Sequence, residues 1–320
     1  MTCNKKDIML ALSLFAVALI ILFSIKHTKQ AYDITLTEYF DTVTDITVIS
    51  DSDKVLSECE EYIKNMDSEL SAENKEGLIY RFNHGEDVSF CDDTNELIDY
   101  AKTFTEENSE LFSVYLDPLI KAWDIKNNNG NIPDIDTVLS ECKKRSTINL
   151  GGIAKGFVTQ KLVDLMKKEN ISSALINLGG NVYALGRKQS GENWRIGIQD
   201  PQNESCTIGK VSAENLAVIT SGDYQRYFES DGVRYHHIFD PVTGYPANSG
   251  LHSVTVISEN PTLCDALSTS AFVAGLEKGA ELLKNYNCLG IFVTDDTVYI
   301  SEELRDIFEQ TNSNYKYIYF

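Results

Sequence analysis

Three of the five histidines in the chain, His236, His237 and His252, lie close together, and two of them are consecutive. They sit in or just after Tyr235-His-His-Ile-Phe-Asp-Pro-Val-Thr-Gly-Tyr-Pro246. Histidine is the side chain whose ordinary pKa falls near neutrality, so this stretch gathers the groups best suited to move a proton. Neighbouring residues in a strand point to opposite faces, so one of the pair faces a site at most. The Asp240-Pro241-x-Thr243-Gly244 turn that follows fixes their direction. Either one of the pair is a general base or both are structural.

Two glycine turns and one helix supply further chemistry. Asn149-Leu-Gly-Gly-Ile-Ala-Lys-Gly156 places Gly151 and Gly152 where a helix begins, with Lys155 as a nearby positive charge. Free amides at a helix start attract phosphate, although the run matches neither a P-loop nor a dinucleotide fingerprint and is also read as a tight packing turn. Asn177-Leu-Gly179-Gly180 is a second such turn. Beyond Asn260-Pro261, Asp265 and Thr269 are four residues apart on a helix, where a carboxylate and a hydroxyl can share one face and hold a hard cation. The bland alternative is that Asp265 merely complements the positive end of that helix.

Apolar spacing predicts supporting helices over 53–70, 95–104, 134–142, 153–166, 262–274 and 277–283. Strands are predicted over 33–37, 42–50, 173–177, 182–185, 194–199, 216–220, 226–229, 234–239 and 253–258, with two more around Ile291 and Val298. Helices and strands mix without a regular βαβ rhythm, which predicts an α+β fold. No repeat, low-complexity tract or linker divides residues 32–320, so they form one domain.

The first 31 residues differ in kind. Lys5 and Lys6 precede an apolar run over 8–25, broken only by Ser13 and Ser24 and followed by Lys26 and Lys29. About 18 residues at roughly 1.5 Å each span the hydrocarbon thickness of a bilayer. The run reads as an uncleaved membrane anchor in preference to a signal peptide, whose core is shorter and ends in small residues. The remaining domain is expected outside the cytoplasm. A net charge of −20 excludes a nucleic-acid backbone as partner. The seven cysteines are scattered, with no zinc-ligand spacing.

Taken in order, these runs resemble the ApbE-type flavin transferases, the FAD:protein FMN transferases. The resemblance is carried by Met66-Asp67, Pro118-Leu119 with Trp123, Gly151-Gly-Ile-Ala-Lys-Gly156, Asn177-Leu-Gly-Gly180, Ser221-Gly-Asp-Tyr-x-Arg-Tyr227, Tyr235-His-His-Ile-x-Asp-Pro-x-Thr-Gly-Tyr-Pro246 and Asp265-Ala-Leu-Ser-Thr269. It covers about residues 38–295. It implies a single ApbE-like α+β catalytic domain, with antiparallel-rich sheets, that takes FAD as substrate and uses Mg2+. Such an enzyme transfers FMN to a Thr or Ser hydroxyl of an acceptor flavoprotein and releases AMP. By position it assigns His237 as base and Asp240 as its orienter. Met66, Lys155, Gly179, Gly180, Asp223, Tyr224, Arg226 and Thr243 fall to FAD, and Asp265, Thr269 and the Gly152 carbonyl to the metal. An FAD pyrophosphatase and a non-catalytic FAD-binding protein are the alternatives. The chain departs from the family pattern at Ser113, Asn149, Gln160 and Asn181, where Asp is usual. The acceptor motif Asp-Gly-x-Ser/Thr-Gly-Ala-Thr does not occur in the chain, so the acceptor is expected in trans.

Overall fold

A computed structural model describes residues 29–128 and 130–320. The predicted anchor over 8–25 lies outside the described residues, and among the described residues no helix is long and apolar enough to cross a membrane. Strand β1 (Gln30–Leu36) already begins inside the stretch assigned to the anchor segment.

The helices are α1 (Lys54–Leu70), α2 (Leu78–Asn83), α3 (Asp92–Glu107), α4 (Asp117–Trp123), α5 (Ile135–Cys142), α6 (Ala154–Lys168) and α7 (Pro261–Asn285). The strands after β1 are β2 (Thr44–Ser50), β3 (Ala174–Leu178), β4 (Asn181–Leu185), β5 (Trp194–Asp200), β6 (Asn203–Ala213) and β7 (Leu216–Gly222). They continue as β8 (Tyr227–Ser230), β9 (Val233–His236), β10 (Ser253–Ser258), β11 (Leu289–Val293), β12 (Thr297–Ile300), β13 (Phe308–Gln310) and β14 (Lys316–Tyr319). This is the expected α+β arrangement.

Nine strands form one sheet in the order β1-β2-β3-β4-β7-β10-β11-β12-β14. Every pairing in it is antiparallel except β12 with β14. Period-two alternation divides its side chains between two cores. Ile219, Val254, Val256 and Phe292 face the helices, whereas Val218, Ile257, Ile291 and Val293 face the small sheet β13-β6-β5. A third cluster joins Leu119 and Trp123 of α4 to Ile135 and Cys142 of α5 and to Phe239.

Helix α1 forms as its spacing predicts, burying Val55, Leu56, Cys59, Ile63, Met66 and Leu70 along one face. Helix α7 begins at Pro261 with the Asn260 side chain capping the Leu263 N–H at 3.0 Å. It is interrupted at Gly275, whose φ of 78° leaves the helical region, so the two separate helices read from the sequence correspond to its two halves. Strand β6 was not predicted, because its first half, Asn203-Glu-Ser-Cys, is exposed throughout and shows no alternation. Helices α2 and α4 were also missed, each being under two turns long.

Helices α6 and α7 touch through Gly156. A Cβ there would lie 2.4 Å from the Pro261 carbonyl oxygen and 2.5 Å from the Asp265 Cβ. Gly156→Ala must therefore push the two helices apart, and we expect it to cost about 1–3 kcal/mol. Chemical denaturation measures this, and an unchanged midpoint would show that the contact has slack.

Candidate functional site

The ends of these elements enclose a cleft of about 900 Å³. That volume suits a ligand of dinucleotide size. At its floor stands the N-terminal part of α7. Asp265 is 4% exposed, and its Oδ2 accepts the Gly156 N–H of α6 at 2.7 Å. Thr269 follows one turn later, its hydroxyl 3.4 Å from that of Ser221 at the end of β7. The turn into α6 is closed by Asn149, whose side chain accepts the Gly151 N–H at 3.0 Å. A Cβ on Gly152 would come within 3.7 Å of the Thr269 hydroxyl, so the Gly152 backbone runs directly beside it. Asp265, Thr269, Gly152 and Lys155 thus share the cleft.

One wall is the loop before β2. Phe40 and Asp41 both take positive φ, 54° and 53°, and the loop is held by the Phe40 N–H donating to Asp67 Oδ1 at 2.7 Å. Asp41 pairs with Lys126 at 2.8 Å, which lowers its pKa, and its carbonyl accepts from Arg226 at 3.4 Å. Gly179 packs against this loop, since a Cβ would fall 2.3 Å from the Thr42 hydroxyl. Asp41 and Lys126 were not foreseen as cleft residues. Only Asp67, beside Met66 in its motif, hinted at a loop to be held. Asp117 also lines the cleft unforeseen, buried and paired with Lys121 at 3.0 Å.

The two histidines separate as the alternation requires. His236 is 5% exposed, its Nε2 donating to the Ala247 carbonyl at 2.9 Å and its Nδ1 accepting the Ile238 N–H at 3.2 Å. Those bonds fix a neutral ring in the core, edge-on to Phe272. His237 instead lines the cleft. Its Nδ1 lies 3.3 Å from the Arg226 carbonyl oxygen, so Nδ1 carries the proton and Nε2 is left as an acceptor. Desolvation, reinforced by the charges of Arg226 and Lys155, depresses its pKa to about 3. The ring is therefore neutral at physiological pH.

Tyr224 and Arg226 line the same cleft, and burial raises the Tyr224 hydroxyl to about 12. Other residues expected at FAD stand elsewhere. Met66 is 2% exposed in the α1 core, on the face its helical spacing dictates, and does not line the cleft. Asp240 does not orient His237: its Oδ1 accepts the Val242 and Thr243 N–H groups at 2.8 and 3.3 Å, closing its own turn. The group that seats His237 is the Arg226 carbonyl. Thr243 lies outside the cleft lining and accepts the Tyr245 N–H at 3.4 Å. Trp123 locks the same turn from below, donating to the Gly244 carbonyl at 2.9 Å. Gly180 shapes its turn with φ of 90° and donates to Asn177 at 3.0 Å, also outside the lining. Asp223 turns away from the cleft toward His252 and Arg234.

A histidine that shares one cleft with a buried carboxylate, a hydroxyl and a glycine turn is the equipment of an enzyme that moves a phosphate-linked group. Comparison with known proteins narrows that class. The ApbE family profile matches residues 40–292. A Klebsiella pneumoniae protein named FAD:protein FMN transferase is 31% identical over 85% of this chain and 93% of its own length. A Treponema pallidum protein of the same name is 36% identical over 59% of this chain, an alignment spanning 62% of that relative, under two thirds of its length. The crystal structure of the ApbE protein from Thermotoga maritima superimposes with a TM-score of 0.77 at 29% identity, covering 88% of this chain and all of that one. The chain belongs to the ApbE family, whose curated members here are enzymes.

The histidine environment is directly measurable. Because its folded pKa is depressed, His237 should stay neutral as pH falls well below 6.5, while the unfolded chain takes up the proton. Its contribution thus disfavours folding increasingly as pH drops from the ordinary histidine value toward about 3. An NMR titration of the ring should show no midpoint between pH 5 and 8. A midpoint near 6.5 would mean that the ring is solvated.

Proposed function

We propose that this chain is an FAD:protein FMN transferase, moving the FMN moiety of FAD onto a Thr or Ser hydroxyl of an acceptor flavoprotein and releasing AMP. The observation that carries this reading is the His237 ring, seated through Nδ1 on the Arg226 carbonyl and lining one cleft with the Asp265 and Thr269 pair. Nε2 takes the proton of the acceptor hydroxyl as its oxygen bonds to the FMN phosphorus. The bond from that phosphorus to the bridging oxygen breaks, and AMP leaves with that oxygen. An anionic pyrophosphate beside the ring offsets the charges of Lys155 and Arg226, raising the basicity of His237 when substrate is present.

Among the described residues no three His, Cys, Asp or Glu side chains cluster as a metal site. The donors that remain, the Asp265 carboxylate, the Thr269 hydroxyl and the Gly152 carbonyl, are all hard oxygens and fit Mg2+ completed by phosphate oxygens. Bound there, Mg2+ would supply charge neutralisation for the pyrophosphate and the departing AMP. Asp265 is suited to the role because Gly156 fixes one of its oxygens and so orients the other. Lys155 adds a positive charge on the same side of the cleft.

The apolar run over 8–25 supports a membrane anchor with the catalytic domain outside the cytoplasm. The acceptor would then be a protein at the same membrane face.

Incubating residues 29–320 with FAD, Mg2+ and a protein bearing the Asp-Gly-x-Ser/Thr-Gly-Ala-Thr motif, read by intact-protein mass, tests the reading. One FMN added to the acceptor is expected, and free FMN with AMP alone would make the chain a hydrolase. Asp265→Asn should lower turnover by roughly a hundredfold, the kinetic equivalent of losing about 3 kcal/mol of charge stabilisation. The same variant should lose any Mg2+-dependent rise in Tm; full Mg2+ response would remove Asp265 from the metal site.

A further inference from the structure

His252 stands outside the cleft lining and takes no part in the chemistry proposed above, yet both of its ring nitrogens face carboxylates. Nδ1 lies 2.9 Å from Asp223 Oδ2 and Nε2 lies 2.8 Å from Asp295 Oδ1. A neutral imidazole has one N–H and can serve only one such acceptor as a donor, so two carboxylates on opposite nitrogens call for the doubly protonated ring. The backbone repeats the contact. The Asp223 N–H donates to the His252 carbonyl at 3.1 Å, and the His252 N–H donates to the Val293 carbonyl at 2.7 Å.

What Asp223 carries gives this contact its meaning. It directly follows the last residue of β7 and leads into Tyr224 and Arg226 of the cleft. A Cβ on Gly222 would lie 2.4 Å from the Tyr224 ring, so that ring folds back tightly across the strand end that Asp223 anchors. The Arg226 carbonyl in turn accepts the His237 N–H at 3.2 Å and faces its Nδ1. From the far side Arg234 of β9 reaches Asp223 at 3.6 Å and Glu229 of β8 at 3.6 Å, with its guanidinium 4.2 Å from the Tyr227 ring centre. The β8–β9 hairpin, which joins Arg226 to His237, is thereby tied to the central sheet.

We propose that His252 is a positioning residue: held between Asp223 and Asp295, its ring fixes the end of β7 and so aims Tyr224, Arg226 and the carbonyl that seats His237 into the cleft. It touches neither substrate nor the reacting atoms in this role. The charged groups around it are Asp223 at the end of β7, Asp295 in the β11–β12 turn and, beyond Asp223, Arg234 of β9. His236 lies behind these, held below its ordinary pKa by burial. The hydrogen bond to Asp223, with the one to Asp295, raises His252 to about 9. The clamp is therefore complete below pH 6.5 and dissolves as pH rises through about 9. Tyr224 is pushed to about 12 and does not titrate in that window.

The proposal rests on the transferase reading only where turnover is measured, so FAD binding and FMN transfer are followed together from pH 6 to 10. In the native protein both should weaken as pH rises through about 9. His252→Gln, which cannot be protonated, should lower kcat/KM roughly tenfold at pH 7 and lose the alkaline limb. Asp295→Asn alters a residue whose side chain is 92% exposed, so the fold should survive, and it should move the limb toward neutral pH while keeping activity in acid. A merely structural histidine would change Tm without moving that limb. Unchanged FAD affinity and pH profiles in both variants would overturn the proposal. Native FAD binding that follows the expected profile without FMN transfer would instead sink the transferase reading and leave the clamp standing.

Discussion

The close approach of α6 and α7 at Gly156 is the constraint on which the site depends. Without a side chain at that position, the α6 amide reaches the buried Asp265 carboxylate at 2.7 Å. That bond does two things at once. It satisfies half of a carboxylate that would be costly to bury alone, and it turns the remaining oxygen toward the cleft. It also sets the Gly151-Gly152 turn beside Thr269, because the turn is continuous with the first residues of α6. Any added volume at Gly156 would disturb the carboxylate, the hydroxyl and the glycine turn together.

Charge is managed locally against the trend of the whole molecule. The chain carries a formal charge of −20, yet the substrate of the proposed reaction is itself an anion. Lys121, Lys126, Lys155 and Arg226 line that cleft, and two of them are tied to carboxylates there, Lys121 to Asp117 and Lys126 to Asp41. Lys155 and Arg226 both stand close enough to His237 to disfavour its protonation. On the proposed transferase reading, the arrangement would keep His237 neutral before substrate arrives and would give the phosphates a positive environment when it does.

Much of the fold was legible. Helix α1 announced itself by the spacing of Val55, Leu56, Cys59, Ile63 and Met66, and β10 by an unbroken β-branched run. Even the break of α7 at Gly275 agrees with two periodic segments separated at that residue. Strand β6 was not legible, although it follows β5 directly as a hairpin, because its exposed first part shows no alternation and its other partner, β13, lies far along the chain. The same periodicity that located α1 also showed that Met66 belongs to a buried face, which is where it stands, although motif position had assigned it to FAD.

By itself the sequence determined which residue types could do chemistry: a histidine pair before an Asp-Pro-x-Thr-Gly turn, a glycine turn ahead of a helix, and a carboxylate and hydroxyl one helical turn apart. These are local patterns, and helical and strand geometry convert them into shared faces without reference to the rest of the chain. Only the tertiary structure decided their partners. It seated His237 on the Arg226 carbonyl, turned Asp240 back onto its own backbone, and drew Asp223 out of the cleft into an ion pair with His252. Hydrogen-bond and ion-pair choices of this kind depend on which groups burial leaves within about 3 Å of one another. That proximity arises when strands and helices distant in sequence pack together, and no local spacing encodes it.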